Sequence, residues 1–150
     1  KNNLFVGPTQ LAYGYLVDWS GVVDHGSVDY NGYYPDGIIT FRLPVTGYAY
    51  YNNFAQMQAA GLFEGHGTLL SANIFQNGMV GPADSTRQVI PTTPLLSQNS
   101  GAIDRGVRIP NVNDDYRGAA PDLGAFESTD LPPIYGPRPP SPNEFVSRGR

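Results

Sequence analysis

Two histidines, thirteen carboxylates and one dense run of asparagine and aspartate bound the chemistry open to this 150-residue chain. His25 follows Asp24 directly, and an imidazole beside a carboxylate is the pairing that general acid–base catalysis uses. Consecutive strand residues face opposite sides, so Asp24 and His25 are catalytic candidates only where a turn brings both to one groove. His66 sits between two glycines, and neither histidine has the i, i+4 partner of a zinc-binding helix. Both read by default as turn or groove residues. Asn111, Asn113, Asp114 and Asp115 crowd oxygen donors together, and Ca²⁺ takes its ligands from such groups, which makes Asn113, Asp114 and Asp115 the metal candidates. The glycine and glutamate of a calcium-binding EF-hand loop are missing, and an Asx-rich turn is the competing reading. Asp18, Asp24, Asp29 and Asp36 carry the acidic groups of the first third, with no spacing that specifies a glycosidase carboxylate pair. No Gly-x-Ser-x-Gly elbow or phosphate loop occurs. Without cysteine there is no thiolate metal site, sulfur nucleophile or disulfide. Ca²⁺ apart, no cofactor is expected.

Aromatic side chains offer binding chemistry instead. Tyr13, Tyr15, Trp19, Tyr30, Tyr33, Tyr34, Tyr48, Tyr50 and Tyr51 fall in the first third of the chain. An exposed ring joins apolar area to a polar edge, which suits stacking against a sugar. Trp19, Tyr33 and Tyr34 stand in turn-like contexts and are the expected surface members, hence the substrate-binding candidates. A net charge of −4 without any Lys/Arg cluster argues against nucleic acid and anionic membrane as partners. No apolar run reaches the ~18 residues of a membrane span.

The elements that must position these groups are strands. Charged residues are 15% of the chain against roughly 25% on average. Glycine (18) and proline (14) are abundant, and Tyr, Val, Ile, Thr and Phe outweigh the long-helix formers. Short strands are expected at 2–6, 15–17, 22–24, 28–30, 38–43 and 48–51, each bounded by turn residues. This spacing suits a sandwich, a barrel or a β-helix, and periodicity does not choose among them. One short helix is expected over 54–60, with Asn53 as N-cap and Gly61 as the left-handed residue beyond its end. Phe54 and Met57 share its buried face, with Gln56 and Gln58 turned to water. A strand pair is expected over 68–75. From residue 129 to 150 prolines dominate, which favours an extended tail or linker, either a loose terminus or a strap packed along the domain. The scarcity of lysine and the wealth of Tyr, Asn and Gly point to a secreted or cell-surface protein.

The segment 99–127, NSGAIDRGVRIPNVNDDYRGAAPDLGAFE, resembles the terminal motif of secreted bacterial right-handed parallel β-helix proteins. In those a phrase close to Ser-Pro-Ala-Ile-Asp-x-Gly precedes Pro-Asp-Ile-Gly-Ala-Tyr-Glu, and Gly101 stands here where the family usually has proline. Asp29-Tyr30-Asn31-Gly32-Tyr33-Tyr34, the short helix and His66 are similar to the penultimate region of those proteins. The resemblance implies an all-β fold: terminal coils and cap of a β-helix over 1–128, stacked parallel and in register, then the Pro-rich tail. An open solenoid end exposes apolar surface and backbone that need a cap. Ala102, Ile103, Leu123, Ala125 and Phe126 are expected to supply its apolar layer. Asp104 and Asp122 are expected to accept turn amides near Gly106 and Gly124, and Glu127 to pair with Arg105, Arg108 or Arg117. Because the family includes polysaccharide lyases, hydrolases and surface proteins, fold alone leaves the activity open. The expected function is extracellular association with a polysaccharide or cell-surface glycan, within a lyase or hydrolase whose catalytic coils lie upstream. The alternative is a non-catalytic structural or adhesive protein that self-assembles through β-helix ends or the tail.

Overall fold

A computed structural model of the chain describes residues 1–23, 28–76, 78 and 93–131. Asp24, His25 and residues 132–150 of the Pro-rich segment lie outside the described residues. The strands are β1 (Leu4–Val6), β2 (Tyr15–Val22), β3 (Gly32–Tyr34), β4 (Ile38–Leu43), β5 (Gly47–Tyr51) and β6 (Thr68–Leu69), with one helix, α1 (Phe54–Ala59). They form two three-stranded sheets, ordered β1-β3-β6 and β2-β4-β5. The fold is all-β with small open sheets, and among the described residues no helix is long and apolar enough to cross a membrane.

The first sheet is wholly parallel. Leu4 pairs with Gly32, and Gly32 with Thr68. Successive residues point to opposite faces, so Phe5 and Tyr33 enter one core while Leu4, Val6 and Tyr34 enter a second. Burial on both faces is what a parallel sheet requires. Phe5 stacks on Tyr33 from the neighbouring strand, ring centres 5.1 Å apart and planes within 13°. The same backbone bend recurs one strand apart: Asn2 (φ 59°) and Tyr30 (φ 58°) both adopt the left-handed conformation, and the Asn2 amide donates to the Tyr30 carbonyl at 2.7 Å.

In the second sheet β2 and β4 are parallel, but β4 and β5 are antiparallel. The expectation that all these strands stack parallel is therefore corrected at 48–51. Only residues 44–46 join β4 to β5, and a parallel crossover needs a dozen residues or more. Two further strand expectations give way. Residues 28–30 form no strand. Of 68–75 only Thr68–Leu69 is a strand, and Phe75 makes an isolated antiparallel bridge with Leu96.

The first core lies between the sheets and α1: Val17, Val23, Tyr33, Ile39, Phe41, Tyr51, Phe54, Met57 and Phe63. Asn53 caps α1 by accepting the Gln56 amide at 2.9 Å, and Gly61 has φ 68° just past the C-terminal turn. Gln58 does not simply face water: its amide donates to the carbonyls of Glu64 and Gly67, both at 3.0 Å, and so ties α1 to the following turn. The second core joins Tyr34, Leu70, Ile74, Phe75, Leu96, Ala102 and Leu123 on the other face of the first sheet. Gly32 makes that packing possible, because a Cβ there would meet Leu4 and Leu70 at 2.8 Å and Leu123 at 3.0 Å.

Candidate functional site

Strand alternation sorts the aromatic residues. On β4, Ile39 and Phe41 face the core, so Ile38, Thr40 and Arg42 face outward. Register carries that face across the sheet: Tyr15 lies beside Ile38, Thr40 lies between Asp18 and Tyr50, and Tyr48 lies beside Arg42. Tyr15, Tyr48 and Tyr50 are 41, 60 and 51% exposed. Tyr15 and Tyr50 meet edge to face with ring centres 6.4 Å apart. Two residues along a strand span about 7 Å and neighbouring strands lie about 4.8 Å apart, so the three phenols share one flat patch. Asp18 is held within it, since the Thr40 hydroxyl donates to one carboxylate oxygen at 2.7 Å. The patch thus offers ring faces beside a fixed carboxylate and a guanidinium, apolar area with a few placed polar groups.

Of the expected platform residues, Trp19 is at the surface and the two tyrosines are not. Tyr33 is 0% exposed and Tyr34 is buried, which removes both as surface rings. The reason is their place on β3, the central strand of a sheet covered on both faces. Trp19 is half-exposed, but its register with Phe41 sets it on the core side of β2. There, with Lys1, Asn3, Phe5 and Val17, it lines a cleft of about 350 Å³.

A polar column runs behind the first sheet. Asn3 donates its backbone and side-chain amides to the Asn31 side-chain oxygen at 3.0 and 2.9 Å. Asn31 in turn gives its backbone amide (3.1 Å) and side-chain amide (2.6 Å) to Glu64, which also accepts the Tyr33 hydroxyl at 2.5 Å. Glu64 is 1% exposed, so its carboxylate is tolerable only with such partners. Burial, and then the neighbouring Glu64, push the Tyr33 phenol far above its usual range and keep its proton in place to donate. Two residues beyond Glu64, and two before Asn31, the column continues to the surface at His66 and Asp29. One oxygen of Asp29 accepts the amides of Tyr30 (2.9 Å) and His66 (2.8 Å), and the other lies 2.8 Å from His66 Nδ1. Burial opposes the charged form of Asp29, yet the His66 side chain and these two amides outweigh it and hold the carboxyl below its ordinary value. The His66 ring lies flat on Tyr30, centres 4.4 Å apart and planes within 7°, and the Lys1 ammonium sits 5.7 Å from the Tyr30 ring centre.

No protein-family model, curated protein or solved structure matches this chain. Function must therefore be argued from these groups.

The terminal phrases pack against the first sheet, where Leu123 comes close to Gly32. The Gly124 amide donates to the Asn2 carbonyl at 2.9 Å, and Asn2 and Val107 exchange two hydrogen bonds of 2.8 Å. Ala102 and Leu123 are buried and Ile103 packs beside them, whereas Phe126 is half-buried and Ala125 exposed. Asp104 accepts the amides of Ala119 (2.8 Å) and Ala120 (3.1 Å), and buried Asp122 accepts those of Asp104 (2.8 Å) and Ser128 (2.6 Å). These are turn amides, though not the ones beside Gly106 and Gly124. Glu127 accepts the backbone amides of Asp122 (3.1 Å) and Arg117 (3.4 Å) in place of the expected arginine side chain, and one of the three candidates, Arg108, is bound to Asp114. Burial first, then Asp122 and Asp130, raise the Glu127 carboxyl above its ordinary value.

The calcium candidates form an Asx turn. Asp114 accepts Arg108 Nε at 2.7 Å and the Asn111 amide at 2.6 Å, which hold its carboxyl below the usual range. Asn113 accepts the Ile109 amide at 2.6 Å and donates to the Val107 carbonyl at 3.2 Å. Asp115 is exposed. Among the described residues no group of three or more His, Cys, Asp or Glu is placed to hold a metal ion. The sequence reading passed over the Asp29–His66 pair because its members are 37 residues apart. The β3–β6 register, Gly32 beside Thr68, is what brings the two segments together.

Proposed function

We propose that this chain is an extracellular, carbohydrate-associated protein built from terminal coils of a right-handed parallel β-helix, and that it holds a polysaccharide on the Tyr15–Tyr48–Tyr50 face. The observation that carries the proposal is three phenol rings left half-exposed on one flat sheet face beside Asp18 and Arg42. A sugar ring presents a face of C–H groups edged by hydroxyls. Phenols accept the first, while a carboxylate fixed by Thr40 and a guanidinium suit the second. The β-helix part of the proposal draws on the parallel register of β1-β3-β6 and of β2 with β4, and on the 99–127 phrase. The hairpin of β4 and β5 is then a decoration that widens the binding face by one strand.

Affinity electrophoresis against a panel of neutral and acidic polysaccharides tests this. At least one polysaccharide is expected to retard the protein, and Tyr48→Ala with Tyr50→Ala to weaken that binding about tenfold or more, from roughly 1–3 kcal/mol of lost stacking. Retardation unchanged in the folded double variant, or absent for every polysaccharide, overturns the proposal.

A further inference from the structure

We infer that the Asp29–His66 pair is a general-base site for hydrolysis of an acyl ester, with His66 Nε2 as the base and water as the nucleophile. The inference is independent of the glycan face. An exposed histidine in a turn ordinarily has neither a fixed tautomer nor a fixed ring plane. His66 is 62% exposed in its side chain, yet it is fixed in both respects. Asp29 lies 2.8 Å from Nδ1 and so keeps the proton there, leaving the Nε2 lone pair free. The second Asp29 oxygen holds the His66 backbone amide at 2.8 Å, and Tyr30 sets the ring plane. The turn behind is fixed by the Glu64 amide on the Val28 carbonyl and the Gly67 amide on the Glu64 carbonyl, both at 3.0 Å. An imidazole whose tautomer and orientation a carboxylate sets is the arrangement a general base requires.

The surroundings select the reaction. Among the described residues no hydroxyl or thiol bonds Nε2, so within them the nucleophile is water, with no side chain placed to be acylated. Glycoside cleavage needs a second carboxyl to protonate the leaving oxygen. Both Asp29 oxygens are engaged and Glu64 is buried, so among the described residues of this column neither carboxyl serves. Ester hydrolysis needs no such acid. Water loses a proton to Nε2 as its oxygen bonds the carbonyl carbon, the C–O bond to the alcohol breaks, and the alcohol leaves with that proton. Among the described residues the charged groups around His66 are Asp29, the buried Glu64 and the Lys1 ammonium over Tyr30.

Release of nitrophenolate from p-nitrophenyl acetate provides the test. The protein is expected to exceed an equal concentration of free imidazole, and His66→Ala and His66→Gln to lose about a hundredfold of the rate. The rate should rise with pH as one base loses its proton. Asp29 is a positioning residue, so Asp29→Asn should lower the rate about tenfold or more and shift that pH profile, whereas a purely structural role would leave the profile where it is. A wild-type rate no greater than that of free imidazole overturns the inference whatever the variants do. So does a flat pH profile, or a folded His66→Gln variant as active as wild type.

Discussion

Glu64 is expected to be the most costly polar residue to remove. Its carboxylate accepts three donors in a buried setting: the Asn31 backbone amide, the Asn31 side-chain amide and the Tyr33 hydroxyl. Glu64→Ala leaves all three without an acceptor. Each buried unmade bond costs about 1–3 kcal/mol, and water entering the space left by the side chain offsets part of it, so we expect a loss of about 3–5 kcal/mol. The backbone at 64 stays at φ 52° in either residue, so its left-handed strain cancels in the difference. Glu64→Gln keeps one acceptor but sets its own NH₂ against a donor, for a loss of about 2–3 kcal/mol. Tyr33→Phe removes a single bond and keeps the packing on Phe5 and Phe54 (5.1 and 5.3 Å), for about 1–2 kcal/mol.

Urea unfolding followed by tyrosine and tryptophan fluorescence resolves this order. With a slope of about 2 kcal/mol/M, the Glu64→Ala midpoint should fall by roughly 2 M and that of Tyr33→Phe by less than about 1 M. A Glu64→Ala shift below about 0.5 M, or a larger loss in Tyr33→Phe, would refute the claim that the carboxylate organises this column.

Two further outcomes follow from the same geometry. Asp29 has a folded pKa below the ordinary 3.8, so its contribution is fully present above that value and is lost as pH falls through the lower folded one. Urea midpoints between pH 7 and pH 2 should therefore drop more steeply for wild type than for Asp29→Asn, and parallel curves would contradict the assignment. Asn53→Ala should cost about 1 kcal/mol through the lost α1 cap, read as a thermal midpoint lowered by roughly 2–4 °C, while Asn53→Asp should hold it near wild type.

What could be read from the residues was local. Asn53, the Phe54–Met57 spacing and Gly61 placed α1 correctly, because capping and helical periodicity act within one turn. β1, β4 and β5 also lie where apolar runs meet turn residues. Exposure was legible at Trp19 but not at Tyr33 and Tyr34, because it depends on neighbours distant in sequence. Tyr33 and Tyr34 follow Asn31-Gly32 and look like turn residues, but strands on either side of β3 and a core on each face bury them. Tyr48 and Tyr50 read as strand residues of either face, and only their pairing with Arg42 and Thr40 turns them outward.

The two candidate chemistries share one structural cause. A parallel pair places equivalent residues of successive strands directly over one another, so a side chain suited to one position selects its neighbour: Asn3 on Asn31, Phe5 on Tyr33, Tyr30 on His66. Stacked amides and rings of this kind stabilise a sheet along its stacking direction, as asparagine ladders do in cross-β structures. Where the stack enters the core it yields the Glu64 network, and where the same stack reaches solvent it holds a histidine in a single orientation. The β4–β5 hairpin breaks that rule, because an antiparallel strand has no equivalent below it to stack upon. Its outward Tyr48 and Tyr50 have no such stacked partner, and Tyr50 meets Tyr15 of β2 only edge to face, so both rings stay half-exposed.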